Sequence, residues 1–182
     1  DDDVITNLEI NKEPIIKQHF VIQDIITEVV QNLSVKSLKK NIQFQFKKGS
    51  ESPIYVFADK NKIYQVVVNI LSNATKYGKI DGQITASIYK MEDEKILIEI
   101  GDDGIGIAPE ILDRIFDPFF STKALGSGTG LGLSTVYGIV KQSGGFIFAE
   151  SEIGKGTQFD IYLPVHEGGM PEPQTLATLD AP

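Results

Sequence analysis

Two alternating runs stand three residues apart in this chain, QITASIYKM at 83–91 and KILIEIGDD at 95–103, joined by EDE. Period-two alternation marks strands that bury one face. A three-residue connection makes them an antiparallel hairpin, because parallel neighbours need a crossover of about a dozen residues or more. Any sheet built on this pair is therefore at least partly antiparallel.

The rest of the chain supplies helices and further strands. Residues 22–38 place Ile22, Ile25, Ile26, Val29, Val30, Leu33 and Leu38 at helical spacing. NIQFQFKK (41–48) and IYVFAD (54–59) read as short strands. Asp59 stands where an N-cap belongs and opens a helix over 60–77. Pro109, a favoured first helical residue, opens a short helix over 109–115. A glycine-rich stretch at 121–132 runs into a helix over 131–143. GGFIFAES (144–151) and GTQFDIYLP (156–164) close the pattern as two strands around a turn at 154–156. This order predicts a two-layer α/β sandwich, a mixed and mostly antiparallel sheet of about five strands on about three helices. Residues 1–20 read as the end of a preceding dimerization or linker segment, 21–164 as one domain, and 165–182 as a disordered C-terminal linker without Lys or Arg.

Charge limits the partners. A net charge of −8 and a pI near 4.8 argue against nucleic-acid binding. A polyanionic ligand would need local positive potential from a metal, a few lysines or helix N-termini. With no Cys, disulfides, thiol nucleophiles and Cys-based zinc sites are excluded. No run approaches the roughly 20 apolar residues of a membrane span, and the acidic start is not a signal peptide. The expectation is a cytoplasmic domain without membrane contact.

Three stretches carry possible chemistry. On the 60–77 helix, Ile63, Val67, Ile70, Leu71 and Ala74 share one face, while Gln65, Asn69, Asn73 and Lys76 share the other. Taken alone, that polar stripe reads first as a solvated face. GDDGIGIAPE (101–110) follows a strand, with Asp102 at its end and Gly104 and Gly106 permitting close backbone approach. An ordinary Asp-Gly turn has the same form. KALGSGTGLGLSTVYGIVKQSGG (123–145) alternates Gly126, Gly128, Gly130 and Gly132 before a helix. Free N–H groups and a helix N-terminus suit an anion there. It is no flexible linker, since it runs straight into an amphipathic helix. It is no Walker loop, since no Gly-Lys-Ser/Thr follows the first glycine.

Five motifs, in order and at matching spacing, resemble the ATP-binding catalytic domain of bacterial sensor histidine kinases. That domain has the Bergerat fold shared by DNA gyrase, a heat-shock chaperone and the mismatch-repair ATPases. NILSNATKYG (69–78) is similar to the family's asparagine box, DDGIGI to its first glycine box and RIFDPFFSTK (114–123) to its phenylalanine box. GSGTGLGL (126–133) is similar to its second glycine box and GKGTQFDIYLP (154–164) to its closing strand. The resemblance covers about 21–164 and implies ATP and ADP as ligands, with Mg²⁺.

It also implies roles. Asp102 would accept from the adenine amine, which guanine lacks at that position, and Thr157 would assist. Asn69 would place its amide oxygen on Mg²⁺, which prefers oxygen ligands. Asn73 would bond the phosphates or their metal shell, Lys76 would meet phosphate, and Tyr77 would pack beside the nucleoside. Residues 112–130 would form a lid, with Lys123 as a second phosphate contact. Gly104, Gly106, Gly126, Gly128, Thr129, Gly130, Leu131 and Gly132 would line the nucleotide. Phe116, Phe119 and Phe120 would anchor the lid or dock a partner helix, with plain core packing equally open for Phe116.

Gyrase-type relatives carry a water-activating Glu where this chain has Asn69, and an amide cannot serve as a base at neutral pH. The resemblance therefore implies transfer of the γ-phosphoryl group to a protein side chain rather than hydrolysis, with weak turnover alone. The acceptor would be a His on a separate dimerization domain, and a response-regulator receiver domain would follow it. Neither His19 nor His166 stands in the family's acceptor motif. Without that domain the chain is expected to be monomeric. The asparagine box resembles one kinase subfamily and the phenylalanine and second glycine boxes another, which reads as a chimera joined near 78–100. A regulatory nucleotide-binding module without phosphotransfer is the alternative of a different class.

Overall fold

The computed structural model describes residues 14–47, 50–118, 120 and 132–165. The expected hairpin is present as β4 (Gln83–Met91) and β5 (Lys95–Asp102), antiparallel from Met91↔Lys95 to Ile84↔Asp102. Its turn places Asp93 at φ 63° and Glu94 at φ 59°, the left-handed geometry that tight hairpins use. β7 (Gly156–Pro164) pairs antiparallel with β5, and β6 (Phe146–Glu152) closes that edge against β7. β2 (Gln43–Phe46) joins the other edge parallel to β4, giving the order β2-β4-β5-β7-β6. The sheet is thus mixed and mostly antiparallel, as the two-layer reading requires.

A second, two-stranded sheet pairs β1 (Gln18–Val21) with β3 (Tyr55–Ala58). Alternation does not pick out β1, because it is four residues long with only Phe20 buried. It crosses the boundary at residue 20 drawn from sequence between a leading segment and the domain, and Phe20 belongs to the core.

The helices are α1 (Ile22–Lys40), α2 (Lys60–Lys76), the single turn α3 (Pro109–Leu112) and α4 (Gly132–Gln142). The short helix ends before the expected residue 115, and 113–117 continue as turns. α2 lies between α1 and α4. Its buried stripe of Ile63, Val67, Ile70 and Leu71 meets Ile84 and Ile88 of β4, Ile96, Ile98 and Ile100 of β5, and Ile161 of β7 in one core. Fully burying such an aliphatic side chain is worth roughly 1.5–3 kcal/mol, so this stripe fixes which face α2 turns away. Among the described residues no helix is long and apolar enough to cross a membrane.

Candidate functional site

β5 buries Ile96, Ile98 and Ile100 toward the helices, and period two puts Asp102 next on that side, at the rim of the core. Its register partners are Ile84 and Thr157. The Gly104 N–H donates to Asp102 Oδ1 at 2.9 Å. Burial pushes the Asp102 carboxyl above its ordinary pKa. The Gly104 and Thr157 backbone N–H groups pull it back, and the neighbouring Asp103 pushes it up again. The site therefore offers an under-solvated acceptor, which gains from a ligand donor more than an exposed carboxylate would.

Three backbone segments lock this acceptor in place. Gly104 lies under the end of α2, and a Cβ there would strike the Tyr77 carbonyl oxygen. The next N–H, from Ile105, donates to that same carbonyl at 3.1 Å. Gly106 takes φ 76°, and the Gly154 N–H donates to Ile105 O at 2.9 Å. Gly156 takes φ 114° where a Cβ would collide with the Asp102 carbonyl. The glycines are thus needed for contact between segments as well as for turning.

α2 supplies the opposing wall. Asn69, Asn73 and Tyr77 are half-buried and Lys76 is exposed. Asn69 Nδ2 donates to the Gly132 carbonyl at 3.2 Å, which ties α2 to the first residue of α4 and leaves Oδ1 unused by that bond. Lys76 Nζ stands 5.6 Å from the centre of the Tyr77 ring. The structure thus assembles Asn69, Asn73, Lys76, Tyr77 and Gly132 on the helical side, and Asp102, Gly104, Gly106 and Thr157 on the sheet side. Lys123, Gly126, Gly128, Thr129, Gly130, Leu131 and Phe119 lie outside the described residues. Phe116 packs against the rings of Tyr137 and Phe159, and the Arg114 guanidinium lies over Phe120. Of the roles open for Phe116, core packing is the one these contacts display.

Two supporting residues escape the sequence reading. Lys40, in the last turn of α1, donates from Nζ to the carbonyls of Thr75, Lys76 and Gly78 at 3.2, 2.6 and 3.1 Å. A cation there satisfies the open carbonyls of α2 and meets the negative end of its dipole. Ser151 Oγ lies within 2.8 Å of both Gly156 O and Thr157 Oγ1. A basic last turn hints at Lys40, whereas a lone strand serine gives no such signal.

A depression of about 520 Å³ at this end of the sheet is lined by Asp102, Ser151, Gly156 and Thr157 together with Thr85, Gly101, Glu150 and Gln158. Nearby Glu99 is pushed above its ordinary pKa by burial and by Asp160 and Glu150, with Lys47 opposing. Those carboxylates disfavour phosphate beside Glu150, so an anionic group fits better toward α2 and Lys76.

Comparison with known proteins agrees with this geometry. The model of the family described as "Histidine kinase-, DNA gyrase B-, and HSP90-like ATPase" matches residues 58–167. The sensor kinase CckA of Brucella abortus (strain 2308) is 40% identical over 157 residues, covering 76% of this chain and 16% of that protein. The nucleotide-free catalytic domain of histidine kinase ThkA superposes with a TM-score of 0.72 at 32% identity, covering 82% of this chain and 96% of that one. ThkA in complex with the response regulator TrrA gives 0.73 at 29% identity, covering 90% of this chain and 46% of that one. The chain spans 16% of the length of CckA and 31% of the length of another curated relative it matches, the sensor histidine kinase ZraS of Klebsiella oxytoca.

Proposed function

The chain belongs to the histidine kinase-, DNA gyrase B- and HSP90-like ATPase family, and we propose that it is the part of a two-component sensor kinase that holds Mg-ATP and gives up its γ-phosphoryl group to a histidine. One observation carries this reading. The partly buried Asp102 carboxylate, pinned by Gly104, stands at the end of the central strand, and the locked Gly104 loop joins it to the Asn69–Asn73–Lys76 face of α2. In this reading the base sits against Asp102 and Thr157. The phosphates run along α2 toward the N-terminus of α4, where backbone N–H groups favour anions.

The donor set fits a cation that arrives with the nucleotide. Among the described residues no group of three His, Cys, Asp or Glu could hold a metal by itself. Asn69 offers one neutral oxygen, so phosphate oxygens and water would complete an octahedral shell. A bound Mg²⁺ would spread the charge of the transferring group. The chain's own residues orient the base, hold the phosphates by Lys76 and, in our reading, Lys123, and present no carboxylate at position 69 to activate water.

The receiver of the phosphoryl group is proposed from the relatives. CckA is named a sensor kinase, and ThkA is seen with a response regulator. A histidine-bearing dimerization domain and then a receiver domain would be the partners, in the cytoplasm. The test supplies γ-labelled ATP and the isolated dimerization domain of a related kinase. Label on the histidine that appears only when this chain is added supports the reading. Nucleotide binding without transfer to any supplied domain would leave the regulatory module instead.

A further inference from the structure

The hydroxyl groups beside the proposed base pocket have only one consistent arrangement of protons. Ser151 Oγ has three neighbours at bonding distance: Ile107 N at 2.7 Å, Gly156 O at 2.8 Å and Thr157 Oγ1 at 2.8 Å. The Ile107 N–H can only donate, so Ser151 Oγ accepts from it. The Gly156 carbonyl can only accept, so it takes the single Ser151 proton. No proton remains on Ser151 for Thr157, so the Thr157 hydroxyl must donate to Ser151 Oγ. Thr157 thereby uses up its one proton and shows its surroundings lone pairs alone.

Thr157 is 9% exposed and sits directly across the ladder from Asp102, on the same face. Opposed side chains in such a pair stand close enough to share a ligand group. We infer that Ser151 is a specificity-determining positioning residue: by fixing the Thr157 hydroxyl as an acceptor, it sets a second acceptor beside Asp102, and the pair is matched to the two N–H bonds of an exocyclic amine and mismatched to a carbonyl at that place on the base. Ser151 does this without touching the ligand. It also joins the first glycine loop, through Ile107, to the 152–157 turn. This inference rests on the nucleotide reading above and adds to it the source of base selection at the second acceptor.

The test compares ADP with IDP, which presents a carbonyl and an adjacent N–H where ADP has an amine and a bare ring nitrogen. Affinities are measured for the unmutated chain, Ser151→Ala, Ser151→Thr and Thr157→Val, each checked for a cooperative thermal transition. In Ser151→Ala the Thr157 proton is free to turn toward the ligand. The preference for ADP over IDP should then narrow by about tenfold, the scale of one hydrogen-bond reversal. Ser151→Thr keeps the hydroxyl and should restore the ratio. Thr157→Val keeps the Ser151 bonds to Ile107 and Gly156, removes the acceptor, and should weaken ADP more than IDP. A general loosening of the loop would lower both affinities and leave the ratio unchanged, and that result in Ser151→Ala would overturn the inference. So would an unchanged ratio in Thr157→Val, whether or not Ser151→Ala folds. An unmutated chain that binds neither nucleotide would overturn the nucleotide reading, and this inference with it.

Discussion

Asp102 carries a conflict between folding and binding. Its carboxyl is pushed above the ordinary value mainly by burial. A raised pKa in the folded state means that protonation favours folding. The contribution is fully present below the unfolded value and is lost as pH rises through the folded one. Asp102→Asn, neutral at every pH, is therefore expected to raise the melting temperature at pH 7 and to lose that advantage in acid. The same change should weaken ADP binding about tenfold or more, since bonds to charged acceptors are worth roughly 1.5–3 kcal/mol. Thermal melts across pH 4–8 beside titration calorimetry check both halves. In the unmutated chain, ADP affinity should begin to fall at a higher pH than an exposed aspartate would give. Asp102 and its glycines stood out in the sequence only through the five motifs taken in order, because an ordinary Asp-Gly turn has the same local form. Ser151 was not, because its partners Ile107, Gly156 and Thr157 come together only in the folded sheet.

At the level of elements, α2 is set at both ends. Asp59 Oδ1 accepts from the N–H groups of Asn61 and Lys62, and Oδ2 accepts from Ile16 N at 3.0 Å. Asp59→Ala should cost about 1–2 kcal/mol for the cap, measured by urea unfolding. At the other end, Lys40→Met removes the donor to three carbonyls and should cost about 1–2 kcal/mol with a loss of ADP affinity, because the Tyr77–Gly104 contact is built on that turn. Gly104→Ala should be more damaging to binding than to folding. The new Cβ meets the Tyr77 carbonyl, so the loop must leave its place beside α2, at an overpacking cost of about 1–3 kcal/mol. Full retention of ADP affinity in Gly104→Ala would contradict the interlocked loops. The extent of α2 followed from its cap and its apolar stripe. The strands β4 and β7 followed from alternation long enough to count. β1 did not, because four residues cannot show a period, and its pairing with β3 joins positions 34 to 40 apart in sequence.

Across the whole molecule, the two halves read from sequence as resembling different subfamilies contribute strands to one five-stranded sheet. β4, inside the stretch where a junction was read, pairs with β2 on one side and β5 on the other. An alignment that covers 76% of this chain cannot avoid residues 78–100, so CckA alone matches both halves. The chimera reading therefore comes down to parentage, and a natural chain close to both halves would remove it. In the proposed arrangement the phosphates lie along α2 and the start of α4 rather than beside Glu99, Glu150 and Asp160, which answers the acidic net charge. The measurement that bears most directly on this arrangement is calorimetric titration of ADP, in Mg²⁺ buffer, into the unmutated chain and into Asp102→Ala. The arrangement predicts binding by the first and at least a tenfold loss in the second. Equal affinities in the two, or no binding by either, would contradict it.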